Sequence, residues 1–165
     1  MNEMYEGDEN DFRLAYWFSE MVDPDNNSYT HMIKYMDVDD IDEKTKVSRG
    51  YTYIIPVLRM SEVYLIAAEC CPDPKVGRDY LNVVRSARNV KNVEDEVDLM
   101  TAIEQEFRRE FLGEGQLFWL YKRKGKAEII SGEKQGKMVS MEERFYLFDL
   151  PQSEQYYREE NGIGN

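Results

Sequence analysis

The chain has 165 residues, 42% of them hydrophobic and 33% charged, a length and balance that exclude a disordered or fibrous polymer and leave room for a buried core. A formal charge of −12 excludes a phosphate-backbone binder, because nucleic-acid affinity rests on Lys and Arg displacing counterions, and it disfavours anionic lipid as well. No run approaches the roughly twenty apolar residues that span a bilayer as a helix, and the start, Met-Asn-Glu-Met-Tyr-Glu-Gly-Asp, has neither the apolar stretch nor the cleavage site of an export leader.

Residues 1–11 are polar and read as irregular. Residues 12–18, Phe-Arg-Leu-Ala-Tyr-Trp-Phe, fit a strand or a short helix, since so short a run has no decisive period. Within it Tyr16 and Trp17 are the candidate ligand contacts. A flat ring offers apolar area to the axial C–H face of a pyranose; alternatively Trp17 anchors this segment to the helices. Asp23-Pro24-Asp25-Asn26-Asn27 is a turn by its chemistry. Residues 29–36 alternate as a strand does and carry the lone His31, read as structural. Residues 37–50 form a polar surface loop. Its Asp37, Asp39, Asp40 and Asp42 lack the glycine turn and distal glutamate of a calcium loop, and they read as solvated. Residues 51–57 are an extended lead-in that Pro56 enforces.

From Arg59 the period becomes helical. Val63, Ile66, Ala67 and Cys70 share a face that Leu65 and Ala68 widen, which predicts a helix buried on a broad side. Cys70 and Cys71 are adjacent, unsuited to an ordinary disulfide or a metal site, and are expected as small buried hydrophobes. Asp73 is placed to cap a second helix with Pro74 at its first position; Val76, Tyr80, Leu81, Val84 and Ala87 turn inward before it ends near Asn89. This hairpin has the length of one tetratricopeptide (TPR) unit, which must stack on further helices to cover its apolar face.

A third helix is predicted from Thr101, with Thr101 and Glu104 as a capping box and Ile103, Phe107, Phe111 and Leu112 as its stripe. Gly113 and Gly115 end it. Residues 116–124 are helical again, packing Phe118, Trp119 and Leu120 down and carrying Lys122, Arg123 and Lys124 at the C-terminal end. Glu110 and Glu114 lie one turn apart like a glycosidase pair, but beside Arg108, Arg109 and Lys122 they are expected to be ion-paired surface. No nucleophile dyad, phosphate loop or Cys/His cluster can be read, so the expectation is a protein without catalysis, cofactor or metal. Gly132 and Gly136 mark a loop or loose hairpin, residues 145–150 a strand closed by Pro151, and Ser153 the cap of a last helix.

Four stretches in register carry a family resemblance: residues 59–69 (Arg-Met-Ser-Glu-Val-Tyr-Leu-Ile-Ala-Ala-Glu), 80–85, 107–123 with Glu110-Phe111-Leu112-Gly113-Glu114-Gly115, and 145–154. Together they resemble the C-terminal part of SusD/RagB-type proteins, from about Tyr53 to the end. Asp11-Phe12-Arg13 and Lys34-Tyr35 are fainter matches to Asp-x-Arg and Lys-Tyr landmarks of that family, and residues 105–110 depart from its Glu-Arg-Arg-x-Glu-Phe pattern by one shifted acidic position. The resemblance implies a mainly α fold of TPR-like helical hairpins with a few short strands. It implies one region over 1–165, with short strands to 57, a helical core over 58–125 and a loop, strand and C-terminal segment over 126–165. It further implies a lipoprotein, lipid-anchored at the outer-membrane surface in full-length form. Such a protein captures a nutrient, an oligosaccharide above all, for a TonB-dependent (SusC-like) transporter. Family members are considerably larger, so their N-terminal portion, with most glycan contacts, would lie outside this chain. A TPR-like protein-interaction scaffold without a glycan role fits the same helices, and a hydrolase fits them less well.

Overall fold

The computed structural model describes residues 4, 5, 7–35, 56–131 and 137–162, and the chain falls into two compact units, Met1–Glu110 and Phe111–Asn165. In the first, helix α1 (Phe12–Trp17) runs into a hairpin of β1 (Phe18–Val22) and β2 (Ser28–Met32), followed by α2 (Met60–Cys70), α3 (Pro74–Ala87) and α4 (Leu99–Glu110). The second contains α5 (Gln116–Lys124), β3 (Glu128–Ile130), β4 (Met138–Ser140), a 3₁₀ turn at Glu143–Tyr146, and α6 (Gln152–Glu160). The architecture is the expected one, mainly helical and TPR-like with a few short strands.

The segment left open as strand or helix is both in succession. Asp11 caps α1, its carboxylate accepting the Arg13 backbone N–H at 2.9 Å, and the chain turns extended at Phe18. β1 and β2 pair antiparallel from Phe18↔Met32 to Val22↔Ser28. Their turn is the Asx turn foreseen: Asp23 accepts from the Asn27 backbone at 2.8 Å and its amide at 3.0 Å, and Asn26 sits at φ 66°. The strand is shorter than its alternation: the Ile33 N–H donates to the Trp17 carbonyl at 2.8 Å in the register of the ladder, but Trp17 already belongs to α1, and the pairing ends there. The acidic loop and nearly all of the lead-in lie outside the described residues.

Asp73 caps α3 as expected, accepting the Lys75 N–H at 2.9 Å with Pro74 first in the helix. Only one flank of the expected broad face of α2 is buried. Leu65 and Ala68 are its core residues, whereas Val63 and Ile66 are 55% and 49% exposed, Cys70 is exposed and Cys71 half-buried. On α3, Leu81 and Val84 turn inward, but Val76, Tyr80 and Ala87 are exposed. The cause is Gly77. A Cβ there would stand 2.8 Å from the Ala68 carbonyl oxygen and 3.0 Å from Leu99 Cδ2, so the helices close where their smallest residues meet and the contact line follows that point. On an open helix Gly→Ala gains about 1 kcal/mol. Here a backbone oxygen that cannot yield brings an overpacking cost at the upper end of roughly 1–3 kcal/mol. Gly77→Ala is therefore expected to lose about 1–2 kcal/mol in urea unfolding; a gain would remove Gly77 as the contact point.

Helix α4 packs on both α2 and α3 and supplies the stacking a lone hairpin needs. It starts one turn earlier than the Thr101 box predicts. Asp98 is the capping group, its Oδ2 accepting both the N–H and the hydroxyl of Thr101 at 2.8 Å, which brings Leu99 inside the helix and buries it. Ile103 and Phe107 are core, as expected, with Ala102. Glu106, Arg109 and Glu110 are equally buried, against the expectation of a charged surface.

In the second unit Gly113 and Gly115 take φ of 78° and 72° and turn the chain into α5, as the sequence foretells. Leu120 and Tyr121 are the buried residues of α5; Trp119, expected in the core, is 57% exposed. β3 and β4 form the loose hairpin, Glu128↔Ser140 to Ile130↔Met138. Residues 145–150 do not make a strand. Tyr146 is buried by the 3₁₀ turn, its hydroxyl donating to the Lys126 carbonyl at 2.9 Å, and the aromatics pack on Phe118 of α5 instead of pairing with a neighbour strand. Helix α6 opens at Pro151 rather than Ser153, the Pro151 carbonyl accepting the N–H groups of Glu154 and Gln155.

Candidate ligand-binding cleft

The first unit is organised around a buried charge cluster. Arg13, on α1, is 1% exposed. Its guanidinium holds Asp11 through Nε at 3.0 Å and Nη2 at 2.7 Å, reaches Glu106 Oε1 at 2.7 Å through Nη2, and donates through Nη1 to Glu110 Oε2 at 3.1 Å. Arg88, at the end of α3, grips Glu110 in a fork, Nη2 to Oε1 at 2.6 Å and Nε to Oε2 at 3.0 Å. Arg85 pairs with the other α4 carboxylate, Nη1 to Glu106 Oε2 at 3.0 Å, and Arg109 donates to Asp8 at 2.6 Å. Four guanidiniums thus interleave with four carboxylates, Asp8, Asp11, Glu106 and Glu110. Burial alone would push the Glu110 carboxyl up; the Arg88 hydrogen bonds and the Arg88 and Arg13 charges prevail and hold it down at about 2. The Arg13 guanidinium is pushed the other way, its burial outweighed by the Asp11 hydrogen bonds and the Glu106 charge. Tyr5, with Arg13 and Arg109 over its ring, has its hydroxyl raised to about 12 by burial.

The same node gathers residues far apart in sequence. The Glu110 carbonyl, at the end of α4 where intrahelical partners run out, accepts from Lys34 Nζ at 2.9 Å and from Arg59 Nη2 at 3.0 Å. Lys34 comes from the turn after β2 and Arg59 from the first residue before α2. Phe12 N–H donates to the Arg88 carbonyl at 3.0 Å and fastens α1 to the end of α3.

Over this base opens a cleft of about 440 Å³. Phe12, Tyr16, Trp17 and Tyr35 supply rings, Arg13, Lys34, Arg59 and Arg88 supply donors, and Pro56 closes one side. Both residues singled out from the sequence therefore line one concavity. Tyr16 is 72% exposed, and Trp17 is half-buried with Lys34 Nζ 3.7 Å from its ring centroid. An ammonium so close occupies one face of the indole, the Arg13 guanidinium also stands 6.0 Å from the same centroid, and Tyr16 is the most open ring of the cleft. Sequence reasoning missed Arg13, Lys34, Arg59 and Arg88 as lining groups. For Arg13 and Lys34 the signal was the pair of landmarks Asp11-x-Arg13 and Lys34-Tyr35, which carry no local period; for Arg59 it was the head of the 59–69 stretch, and Arg88 had none.

Glu110 is not ion-paired surface but a buried anion clamped by Arg88 and Arg13, and a carboxyl lowered to about 2 cannot serve as a general acid near neutrality. His31 sits in β2 edge-on to Tyr29. Among the described residues no three His, Cys, Asp or Glu stand as a metal-ligand group, and no helix is long and apolar enough to cross a membrane. The acidic residues 37–42 lie outside the described residues.

Residues 3–160 match the sequence profile of the SusD family. The chain belongs to the SusD family. The match begins some fifty residues before the stretch in which the resemblance is strong, so Asp11-x-Arg13 and Lys34-Tyr35 lie within the family region. Comparison with curated proteins and with solved structures gives no match. SusD-family proteins are binding proteins of the outer membrane, associated with nutrient and glycan uptake.

Proposed function

We propose that this SusD-family chain binds an oligosaccharide in the Tyr16–Trp17 cleft as part of a lipid-anchored protein at the outer-membrane surface, and hands it unaltered to a TonB-dependent (SusC-like) transporter. The observation that carries this is the meeting of four aromatic rings and a lysine around one open cleft on a rigid, charge-locked base. Rings offer apolar area to the C–H faces of a sugar while Lys34 and the tyrosine hydroxyls reach its hydroxyls. Rigid placement limits the ordering cost of binding. The test is calorimetric titration of the protein with neutral oligosaccharides of different linkage. Saturable heat is expected with at least one, and Trp17→Ala should weaken it about tenfold, the equivalent of roughly 1.4 kcal/mol of stacking.

One observation favours a second reading, a protein-interaction scaffold. Val57, Leu58, Met60, Val63 and Ile66 form an apolar exposed run on and before α2, each 49–82% exposed. Absence of saturable heat with every saccharide, from a protein folded by circular dichroism, would favour the scaffold.

A further inference from the structure

We infer a second saccharide-binding site, on the Phe111–Asn165 unit, built from Trp119, Phe148 and Lys122; it rests on the saccharide reading of the first unit's cleft. Trp119 and Phe148 are 57% and 69% exposed, their ring centroids 5.8 Å apart and their planes at 51°. Neither ring is loose. Phe118 lies 5.2 Å from each and 5.8 Å from Tyr146, which is buried and tied by its hydroxyl to the Lys126 carbonyl. A ladder of rings thus runs from the interior to a solvent-facing pair. The exposure of Trp119 is a property of its helix face, because Leu120 and Tyr121 bury the opposite side of α5.

Lys122, one turn after Trp119, places Nζ 5.8 Å from the Trp119 centroid and 5.7 Å from that of Phe148. It also lines an adjoining cleft of about 410 Å³ together with Lys126, Ala127, Met141, Glu143, Tyr146 and Leu147, a volume in the range of small-molecule sites, roughly 300–1,000 Å³. The rings and this apolar lining are interrupted by two ammonium donors and a carboxylate acceptor, which an apolar protein segment would leave unpaired. Flat apolar area alternating with donors and acceptors is what a chain of pyranoses presents in return: C–H faces to the rings, hydroxyls to Lys122, Lys126 and Glu143.

The sequence holds two tryptophans, one in each unit, so each site has its own reporter. The full chain labelled with 5-fluorotryptophan should give two ¹⁹F resonances, assigned with Trp17→Phe and Trp119→Phe. Titration with neutral hexasaccharides of α-glucan, β-glucan, xylan and mannan type is expected to shift the Trp119 resonance saturably, in the native chain and equally in Trp17→Ala. Phe148→Ala should weaken that shift at least tenfold. A Trp17 resonance that moves while Trp119 stays still overturns the second site and leaves the first. A Trp119 shift alone supports the second site and overturns the first; no shift in either overturns both. A Trp119 resonance that moves with protein concentration and not with sugar overturns the inference in favour of an interface between copies.

Discussion

Replacing Glu110 by glutamine is expected to lower the unfolding free energy of the first unit by about 3 kcal/mol at pH 7, the lower end of the cost of breaking a buried ion pair. The shape of the side chain survives the change; the donor and acceptor pattern does not. Glu110 Oε1 accepts from Arg88 Nη2 and Oε2 from Arg88 Nε and Arg13 Nη1. Whichever position becomes an NH₂ then faces a guanidinium N–H at 2.6–3.1 Å, donor against donor. Two facts keep the loss from being larger. Arg13 retains Asp11 and Glu106, and Arg88, 30% exposed in its side chain, can turn to water. The measurement is urea unfolding followed by Trp17 fluorescence in a Trp119→Phe background, so that the signal belongs to one unit. A loss below 1 kcal/mol would mean that Glu110 is not the junction of α1, α3 and α4.

The helices are legible because their punctuation is local. Asp73-Pro74 can open a helix and Gly113 and Gly115 can turn one whatever the rest of the chain does, since each acts through its own backbone. Faces are less legible. The apolar sector of α2 centres on Val63 and Ile66, yet the helix rolls to bury Leu65 and Ala68 because the close approach is set by Gly77, on another helix. Likewise 145–150 has the composition of a strand but no neighbour to pair with among the described residues, and its rings go to Phe118.

Charge deceives in a further way. The pattern reads Glu110 as ion-paired surface, and the reading fails because Arg88, just after α3, grips it across the helix interface, as Arg85 of α3 grips Glu106 one turn before it. Acidic residues about one turn apart on one helix, answered by basic residues about one turn apart at the end of its neighbour, are a sequence signal that single-helix patterns discard. Of the cleft, Tyr16 and Trp17 are visible as an aromatic run in a chain with few tryptophans. Lys34 and Arg59 are not, because what brings them in is the unpaired carbonyl at the end of α4, reached from 76 and 51 residues away. Base and cleft are therefore coupled: the helix end that the ion cluster fixes also holds the lysine that covers one face of Trp17.

Arg13→Met should be the more damaging substitution, at about 5 kcal/mol near neutral pH, because it takes from Asp11 the guanidinium that holds it and from Glu106 and Glu110 one counter-ion each, leaving them Arg85 and Arg88, where Glu110→Gln removes no counter-charge. A loss of that size is comparable to the whole stability of many domains, so the informative comparison is across pH. In the native chain the Glu110 carboxyl is held at about 2 against an ordinary 4.5. A folded-state value below the unfolded one contributes stability that is complete above about pH 4.5 and is lost as pH falls toward 2. That amounts to about 3 kcal/mol over the window. Without Arg13, Glu110 keeps the Arg88 fork, first among the groups that hold its carboxyl down, and loses the smaller Arg13 contribution. Its folded-state value then rises part of the way toward 4.5 and stays below it. The sign is therefore unchanged, and the stability lost on acidification shrinks. Urea midpoints between pH 3 and 7 should climb with pH for the native chain and climb less steeply for Arg13→Met. Parallel slopes, or a variant as stable as the parent at pH 7, would show that Arg13 supplies no counter-charge to Glu110.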